Sequence, residues 1–582
     1  MHRLPWVAVV AAVLGAAPAR AQTPIPEGPD AGSLPVFLGK AAKAMPVRTP
    51  APPRHPFMAP NGSSNLHEDA YQTDASPRTG PLGRDMQRLS TFYARECGSV
   101  TFDSRGRLVT VCVGLDRPVL KLLDPRTLAE LASMDLPPRQ PGAGDPFTSF
   151  GGGGYFYLDD RDRAVIPTNE RHIVIVAVQN DAFVQQADID VSAVVPAGES
   201  IISALPDWSG AIWFVSSGGV VGRVDPSTRA VTSVNLHEPI GNSFAVDETG
   251  GVYIVSDAAL YRFDTGPDGV PAVTWRETYA NTGERKPGQT ERGSGTTPTL
   301  MGDDLVAITD NADPMDIVVL RRARAVTGSR VLCTVPVFDK GASATDNSLI
   351  ATDRAMVVEN NYGYSGPAAT EQGKTTTGGL ERVDVDRGSG KCRVVWRSPE
   401  RAPSVVAKLS LGNGLVYTYT KDPQPNNADA WYLTALDFRT GRTAFKRLGG
   451  EGLGYNNNYA PITIGPDGTA YVGVLGGLVA LRDATPPPQN RPPATGGPAP
   501  APRIVVRVTR GQRRCVVRVA GADRGLAARL SVMAAPHRLV ARADRALLLV
   551  RIRRRDRELR YVVTLGDGRR FAVRGRCWCC VR

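Results

Sequence analysis

The chain has 582 residues, of which 42% are hydrophobic and 22% are charged. No stretch beyond the first 21 residues approaches about 18 continuous apolar residues, which excludes a membrane-spanning helix from the rest of the sequence. The net charge of +12 is unevenly distributed. Residues 503–582 hold 22 arginines, no lysine and five acids, a net charge of +17, which leaves −5 for everything before them. A mildly acidic body therefore carries a strongly basic tail.

The N-terminal end has the pattern of a secretory signal peptide. His2 and Arg3 precede an apolar run from Trp6 to Ala17, and Ala19-Arg-Ala21 supplies small residues at a cleavage site. We predict that residues 1–21 are removed on export. The protein is then expected to be secreted, or held at the cell wall by non-covalent contacts.

Residues 22–85 are rich in proline, alanine and small polar residues and show neither helical nor strand periodicity. They predict an extended arm that lies over or beside the first domain.

A two-part unit recurs from residue 86 to residue 483. A strand opened by an Asp-x-x-Gly turn is followed by a strand that ends in an Asp-x-x-Thr or Asp-x-x-Gly turn. Copies include Asp103–Gly106, Asp207–Gly210, Asp247–Gly250 and Leu436–Gly441. A recurrence at roughly 40 to 50 residues is typical of four-stranded propeller blades. The sequence predicts an all-β fold, a seven- or eight-bladed propeller. Its last unit, Ile462–Leu481, looks incomplete, which would suit a ring closed by a strand from the N-terminal side.

Several blade ends resemble the tryptophan-docking repeat of pyrroloquinoline-quinone (PQQ) dehydrogenases. Ala435-Leu-Asp-Phe-Arg-Thr-Gly-Arg-Thr-Ala-Phe445 follows the pattern with Phe in the place of Trp, and looser copies precede Trp275 and Trp396. The resemblance implies that the Asp and Thr close the turn between the outer strands and that the Trp caps the neighbouring blade. It also makes PQQ a candidate cofactor. The vicinal cysteine pair that such alcohol dehydrogenases place over PQQ is absent from this region, since the adjacent pair Cys579 and Cys580 lies in the tail, so PQQ is not favoured.

Polar loop segments that blade construction does not require are the candidate sites. Carboxylates interleaved with asparagines suit Ca²⁺, which takes six to eight oxygen ligands. The candidate metal ligands are Asp310, Asp346, Asn347, Glu359 and Asn360. Two alternatives stay open. Asp and Asn are also common in turns, where they bond their own backbone, and lactonase-type propellers use a similar ion in catalysis.

Residues 67–74, His-Glu-Asp through Asp74, are candidates either for the channel or for holding the arm in place. Ser/His/Asp catalysis finds no support in the sequence, because there is no Gly-x-Ser-x-Gly elbow and histidines are few.

The cysteines fall into groups that indicate three disulfides in an exported protein. We expect one bridge within the first blade, one between neighbouring strands of a later blade and one across the tail. The candidate cysteines are Cys97 and Cys112, Cys333 and Cys392, and Cys515 and Cys577. Spacing alone does not fix the pairing.

Residues 484–502 form a proline-rich linker, and residues 503–582 read as short strands of a small basic β-sandwich. The tail resembles the Arg-rich immunoglobulin-like modules of secreted actinobacterial proteins. Its charge makes a cell-wall polyanion a candidate partner, against the alternative of a plain solvated arginine face. Nucleic acid is disfavoured because few aromatic residues are available for stacking.

The sequence thus predicts a secreted propeller that binds a small-molecule or carbohydrate ligand in its channel. We expect it to be non-catalytic or weakly catalytic, with a structural Ca²⁺. The alternative is a secreted PQQ-dependent dehydrogenase or a metal-dependent hydrolase or lactonase.

Overall fold

The computed structural model describes residues 22–139, 147, 151–487 and 489, and the backbone of the strands between Val505 and Arg576. The chain divides into two compact units, Met1–Pro492 and Pro493–Arg582. The predicted signal peptide and Cys577 lie outside the described residues. Within the described residues the helices are short 3₁₀ turns, and none is long and apolar enough to cross a membrane. They are Ala31–Ser33, Pro267–Gly269, Pro367–Thr370 and Leu453–Tyr455.

The first unit is an eight-bladed β-propeller. Three strands precede the first complete blade: β1 (Phe37–Gly39), β2 (Ala75–Ser76) and β3 (Gln87–Phe92). From the innermost strand outwards, blade 1 is β4 (Glu96–Phe102), β5 (Leu108–Val113), β6 (Val119–Leu123) and β7 (Glu130–Asp135); blade 2 is β8 (Tyr157–Leu158), β9 (Ala164–Pro167), β10 (His172–Gln179) and β11 (Ala182–Asp190); blade 3 is β12 (Ile201–Pro206), β13 (Ile212–Ser216), β14 (Val220–Val224) and β15 (Val231–Asn235); and blade 4 is β16 (Ala245–Val246), β17 (Val252–Val255), β18 (Ala259–Thr265) and β19 (Pro271–Thr278).

The second half of the ring continues in the same order. Blade 5 is β20 (Thr299–Met301), β21 (Leu305–Thr309), β22 (Asp316–Arg321) and β23 (Val331–Pro336); blade 6 is β24 (Ile350–Ala351), β25 (Ala355–Glu359), β26 (Leu380–Asp386) and β27 (Lys391–Ser398); blade 7 is β28 (Lys408–Ser410), β29 (Leu415–Thr420), β30 (Ala430–Asp437) and β31 (Thr443–Glu451); and blade 8 is β32 (Ile462–Ile464), β33 (Ala470–Val474) and β34 (Gly477–Arg482), with β3 outermost.

The ring is closed by the strand that the sequence predicts. β3 comes from the N-terminal side and pairs antiparallel with β34, from Gln87 opposite Arg482 to Phe92 opposite Gly477. The first and last parts of the propeller therefore share one sheet, and the predicted seven or eight blades are eight. Closure leaves only short sheet edges, which protects the molecule from edge-to-edge association.

The recurring aspartates make the turns between strands. Asp207 accepts the backbone N–H groups of Ser209 and Ala211 and the indole N–H of Trp213 at 2.9 Å. Gly210 ends this turn with a φ of 88°, in the left-handed region that glycine occupies without steric cost. Between the outer strands of the same blade, Asp225 accepts N–H groups in the same way. The motif thus serves blade construction, as the sequence predicts.

Two of the predicted cysteine pairs form disulfides. Cys97 and Cys112 lie opposite each other on β4 and β5, inside blade 1. Cys333 and Cys392 join β23 to β27, the outermost strands of blades 5 and 6. The second bridge therefore links two blades, whereas the sequence led us to expect two neighbouring strands of one blade. Cys515 lies on a tail strand of which only the backbone is described.

The arm of residues 22–85 extends over blade 7 and into the channel. β1 pairs with the outer edge of β31, with Phe37 opposite Arg447, and β2 pairs with the inner edge of β28, so this sheet has six strands. The chain then crosses the blade face, where Met45 and Val47 donate backbone N–H groups to Asn413 and Leu411.

Residues 58–78, which we call the plug, then run around the inside of the ring. The plug hydrogen-bonds the innermost strands of blades 1, 2 and 4 to 8 through Thr101, Leu158, Val246, Leu300, Ala351, β28 and Ile464. Met58 and Ala70 of the plug pack in the hydrophobic cluster that includes Ile202 and Leu205 of blade 3. The arm is therefore an integral part of the propeller core.

The second unit is described by the backbone of its strands, which form two antiparallel sheets. One has the order β35-β36-β39 and the other β38-β37-β40-β41. The strands are β35 (Val505–Gly511), β36 (Arg514–Ala520), β37 (Ala528–Ala534), β38 (His537–Ala543), β39 (Leu547–Val550), β40 (Glu558–Thr564) and β41 (Arg570–Arg576).

Candidate functional site

The plug closes one end of the central channel. It contacts the innermost strands close to the turns that lead from the first to the second strand of each blade. At the other end lie the loops that enter the innermost strands, and these surround a cavity of about 70 Å³, which we call the cup. Residues from the plug and from several blades line it, among them His67, Glu96, Tyr155, Asp346, Asn347 and Ser348. The cup is where side chains from sequence-distant loops converge.

The base of the cup is a buried charged cluster from the plug. His67 Nδ1 lies 2.9 Å from Asp74 Oδ2, and Lys408 Nζ contacts the other oxygen of Asp74 and donates to the carbonyl of Leu66 at 2.6 Å. Burial alone would raise the pKa of Asp74, but its contacts with His67 and Lys408 outweigh burial and hold that pKa below its ordinary value. Asp74 is therefore an ionised acceptor, which places the proton of a neutral His67 on Nδ1.

The second nitrogen of His67 is then an acceptor that faces two hydroxyl groups. Thr297 Oγ1 and Ser348 Oγ both lie 3.3 Å from His67 Nε2. Thr297 is buried, whereas Ser348 is half-buried and lines the cup. Ser348, His67 and Asp74 thus stand in a row, with the hydroxyl at the cavity and the carboxylate behind the imidazole.

Two neighbouring residues bring unpaired oxygens to the cup wall. Asp346 Oδ2 accepts a hydrogen bond from Thr290 Oγ1 at 2.7 Å, but the buried Oδ1 has no hydrogen-bond partner. Asn347 Nδ2 donates to the carbonyl of Val405 at 2.7 Å, and its Oδ1 is likewise buried without a partner. Burial raises the pKa of Asp346 to about 6. An unpaired buried oxygen is costly, so these two atoms mark where a cation or a donor group would be stabilised.

Glu359 lies behind Asn347, away from the cavity lining. Its Oε1 accepts from Thr418 Oγ1 at 2.5 Å, and its Oε2 lies 3.4 Å from Asn347 Nδ2. Burial raises the pKa of Glu359 to about 8, so this side chain is largely neutral at pH 7. Of the five predicted metal ligands, Asp346 and Asn347 line the cup, and Glu359 lies within hydrogen-bond distance of Asn347.

The other two predicted ligands hold loops in place. Asn360 Oδ1 accepts the N–H groups of Ala344 and Tyr362, and its amide donates to the carbonyls of Ala342 and Gly378. Asp310 Oδ1 accepts the N–H groups of Ala312 and Asp316, while Oδ2 is buried without a hydrogen-bond partner. Neither residue is among those that line the cup. Within the described residues no group of three or more His, Cys, Asp or Glu side chains is arranged to hold a metal ion.

A further carboxylate on the cup wall is desolvated. Glu96 accepts the backbone N–H of Asn458 at 2.9 Å, and burial raises the pKa of Glu96 to about 8. Above the cup, a second cavity of about 240 Å³ is lined by Tyr364, Arg285 and Lys286 and shares Tyr459 with the cup. The rings of Tyr364 and Tyr459 meet edge to face at 5.4 Å. The mouth thus offers aromatic and cationic groups above an acidic, amide-rich base.

Comparisons with known proteins give limited information about function. No family model matches the chain. An uncharacterised protein of Archaeoglobus fulgidus is 29% identical over 322 residues, which cover 50% of this chain and 62% of that protein. The match thus spans less than two thirds of the relative's own length.

The solved structures that match this chain are also distant from it in sequence. A computationally designed protein, Ika8, has a TM-score of 0.43 at 12% identity and covers 67% of this chain and 97% of its own. PorZ, a surface component of the type-IX secretion system of Porphyromonas gingivalis, has a TM-score of 0.33 at 12% identity, covering 86% of this chain and 60% of its own. A putative 6-phosphogluconolactonase of Bacteroides fragilis has a TM-score of 0.34 at 9% identity, covering 51% and 82%.

Proposed function

We propose that the protein is an exported ligand-binding propeller whose cup holds a cation, Ca²⁺, and a small polar ligand such as a carbohydrate. The observation that carries the proposal is the pair of buried, unpaired oxygens Asp346 Oδ1 and Asn347 Oδ1 on the cup wall. A carboxylate oxygen and an amide oxygen from adjacent residues are donors that Ca²⁺ accepts.

The small number of protein oxygens suggests how the ligand participates. Ca²⁺ takes six to eight oxygen ligands, more than Asp346 and Asn347 supply. Water and the hydroxyl groups of a bound carbohydrate would complete the shell. The ring of Tyr459, which lines both the cup and the cavity above it, is the aromatic group that a bound sugar would contact. The proposed ion is thus part of ligand recognition.

PQQ fits the cup poorly. This cofactor is a fused-ring compound with several carboxylates, whereas the cup is small and has the acid Asp346 in its wall. Placing the carboxylates of the cofactor against Asp346 would be unfavourable. The adjacent cysteines Cys579 and Cys580 lie outside the described residues. A metal-dependent hydrolase or lactonase remains the second candidate, since an ion at Asp346 would polarise a substrate carbonyl.

The test is calcium binding by protein that has been stripped with a chelator. We expect calorimetry to detect one Ca²⁺ site. Bound Ca²⁺ should also raise the melting temperature, because it raises the free energy of unfolding by about 2.7 kcal/mol at a Ca²⁺ concentration one hundred times the dissociation constant. Asp346→Asn removes the charge at nearly constant shape and should abolish both effects. The matched control is Asp339→Asn, at a largely exposed carboxylate. Equal binding by wild type and Asp346→Asn, or no binding by either, would contradict the proposal.

Export and wall retention belong to the same proposal. The two disulfides of the propeller are compatible with an oxidising compartment. We propose that the two sheets of the second unit pack as a small immunoglobulin-like sandwich and that its arginines retain the protein on an anionic cell-wall polymer. Retention on such a polymer should fall steeply as salt is raised from 50 to about 500 mM, because it rests on screened charges.

A further inference from the structure

We propose that the cup also hydrolyses short-chain esters, with Ser348 as the nucleophile, His67 as the general base and Asp74 as its positioning residue. This activity goes beyond ligand binding and does not depend on a metal ion. It rests on a hydroxyl at the cavity, an imidazole nitrogen 3.3 Å from it, and a carboxylate 2.9 Å from the other nitrogen of the same ring. These are the relationships by which a serine nucleophile is activated on unrelated folds.

The surroundings hold His67 in the tautomer that the reaction requires. Asp74 is an acceptor, so Nδ1 keeps its proton and Nε2 is free to receive one from a hydroxyl group. Lys408 balances the charge of Asp74 at the back of the cluster. The Leu66 carbonyl takes another hydrogen bond from the same ammonium group, which fixes the plug at this point. The imidazole is therefore oriented by a buried, charge-compensated network.

Ser348 is the hydroxyl that can reach a substrate. Thr297 lies at the same distance from Nε2, but it is buried with 1% of its surface exposed, whereas Ser348 is half-buried and lines the cup. A secondary hydroxyl is also the more hindered nucleophile. Ser99 lines the cup too, but its hydroxyl donates to the carbonyl of Gly154. These contrasts assign the nucleophile to Ser348.

The reaction needs no reagent other than the ester and water. Ser348 Oγ attacks the ester carbonyl carbon while its proton passes to His67 Nε2. The bond to the alcohol oxygen then breaks, and His67 returns the proton to the departing alcohol, leaving an acyl group on Ser348. Water attacks the acyl carbon, gives its proton to His67, and the carboxylic acid leaves as Ser348 regains a proton. One ester and one water become one acid and one alcohol.

Tyr155 is the donor that we assign to the negative charge on the carbonyl oxygen. Its phenol lines the same cavity, and its ring centroid lies 6.0 Å from that of His67. A phenol is protonated at neutral pH, so Tyr155 can donate a hydrogen bond to that oxygen.

The size of the cup sets the substrate class. A cavity of about 70 Å³ with Leu66, Val406 and Pro461 in its wall suits an acyl group as short as acetyl. The alcohol part of the ester would lie towards the wider mouth, beside Tyr459. The substrates are therefore acetyl esters of small alcohols, including acetylated carbohydrates.

The first test compares the hydrolysis of p-nitrophenyl acetate by the full chain and its variants. We expect Ser348→Ala to lower kcat/KM by at least about 100-fold. The matched control is Ser104→Ala, at an exposed serine in the turn between β4 and β5, which should leave kcat/KM within about twofold. p-Nitrophenyl octanoate should be a poor substrate for the wild type. Equal rates in Ser348→Ala and wild type, or equal rates on the two esters, would overturn the proposal.

The second test needs no variant to fold. A biotinylated fluorophosphonate reacts with activated serines, and peptide mass spectrometry locates it. We expect one label, on Ser348, in the wild-type protein. Labelling elsewhere only, or no labelling, would overturn the assignment. Loss of calcium binding with labelling intact would instead refute the proposed ligand function alone.

The positioning by Asp74 is tested with the double variant Asp74→Asn/Lys408→Met, which removes both charges of the buried pair. We expect kcat to fall by about tenfold or more while KM stays within twofold, because the ring loses its orientation and the ester site does not change. A merely structural loss would lower the melting temperature and leave kcat of the folded fraction unchanged, which would overturn this assignment.

Discussion

The acids of the outer turns and the acids of the channel are the same residue types in opposite situations. In the outer turns, Asp225 accepts hydrogen bonds from Ser227 and from the backbone N–H of Thr228, and these lower its pKa. Asp386 is held in the same way by Ser389 and Gly388. Each is exposed, ionised and satisfied by its own loop. These aspartates are needed to build blades.

The channel carboxylates are instead buried, with few hydrogen-bond donors around them. Burial raises the pKa of Glu96 and Glu359 to about 8 and of Asp346 to about 6. Asp346 keeps an oxygen without a partner. The donors around a carboxylate, and not its residue type, thus separate an acid that builds a turn from an acid that is available to a ligand. Asn360 belongs with the satisfied side chains, because it bonds backbone groups of the surrounding loops through both its oxygen and its amide.

Asp74 is the channel acid that departs from this division, because a cation compensates it. If Lys408 could be removed without loss of stability, Asp74 would not need a compensating cation. We expect Lys408→Met to destabilise the protein by about 3–5 kcal/mol, since it leaves Asp74 buried beside an uncompensated charge cluster. Urea unfolding measures the loss.

Lys391→Met is the matched control, because Lys391 is exposed on β27. It should change the unfolding free energy by less than about 0.5 kcal/mol. A Lys408→Met loss as small as that of the control would mean that Asp74 is not ionised in the folded protein.

Two aspartates of blade 3 sharpen the contrast between buried and exposed turns. Asp207→Ala should cost about 1–3 kcal/mol, because it leaves the indole N–H of Trp213 and the N–H of Ala211 buried without an acceptor. Asp225→Ala, on the exposed turn, should cost a fraction of that, since water replaces the lost acceptor. Thermal unfolding of the two variants under the same conditions compares their losses of stability. Equal losses would show that burial of the turn is irrelevant.

The blades could be predicted from sequence because their turns are local. An Asp and a Gly within four residues fix a turn whatever lies around them, as at Asp207 and Gly210. The sequence predicts seven or eight blades and not a single number, because blade 8 is divided between the two ends of the propeller, with β3 far from β34 in the chain. Closure was still predictable, since the last unit lacks its outer strand.

The site was predictable only in part. Asp346, Asn347 and Glu359 stand out as polar residues that blades do not need; the first two line the cup, and Glu359 lies behind Asn347. The row of Ser348, His67 and Asp74 depends on the path of the arm through the channel, because Ser348 and His67 are 281 positions apart. No local pattern encodes that path. A histidine and an aspartate seven residues apart in a proline-poor part of the arm were the one signal available.

A pH dependence of stability reports directly on the desolvated acids. Because the pKa of Glu96 is about 8 in the folded protein and near 4.5 when unfolded, the folded state binds more protons between these values. The stabilising contribution of the protonated group is complete below about pH 4.5 and is lost as the pH rises through 8. Glu96→Gln should therefore lie within about 1 kcal/mol of the wild type at pH 5 and exceed its stability at pH 8 by about 4 kcal/mol, since one pKa unit corresponds to about 1.4 kcal/mol.

Glu170→Gln, at an exposed carboxylate, is the control for this measurement and should have no effect at either pH. Urea midpoints at pH 5 and pH 8 give the four comparisons. A Glu96→Gln variant that is less stable than wild type at pH 8 would mean that Glu96 is ionised and paired in the folded cup. The channel acids would then be stabilised as fully as the turn aspartates, and an added cation would gain nothing from their burial.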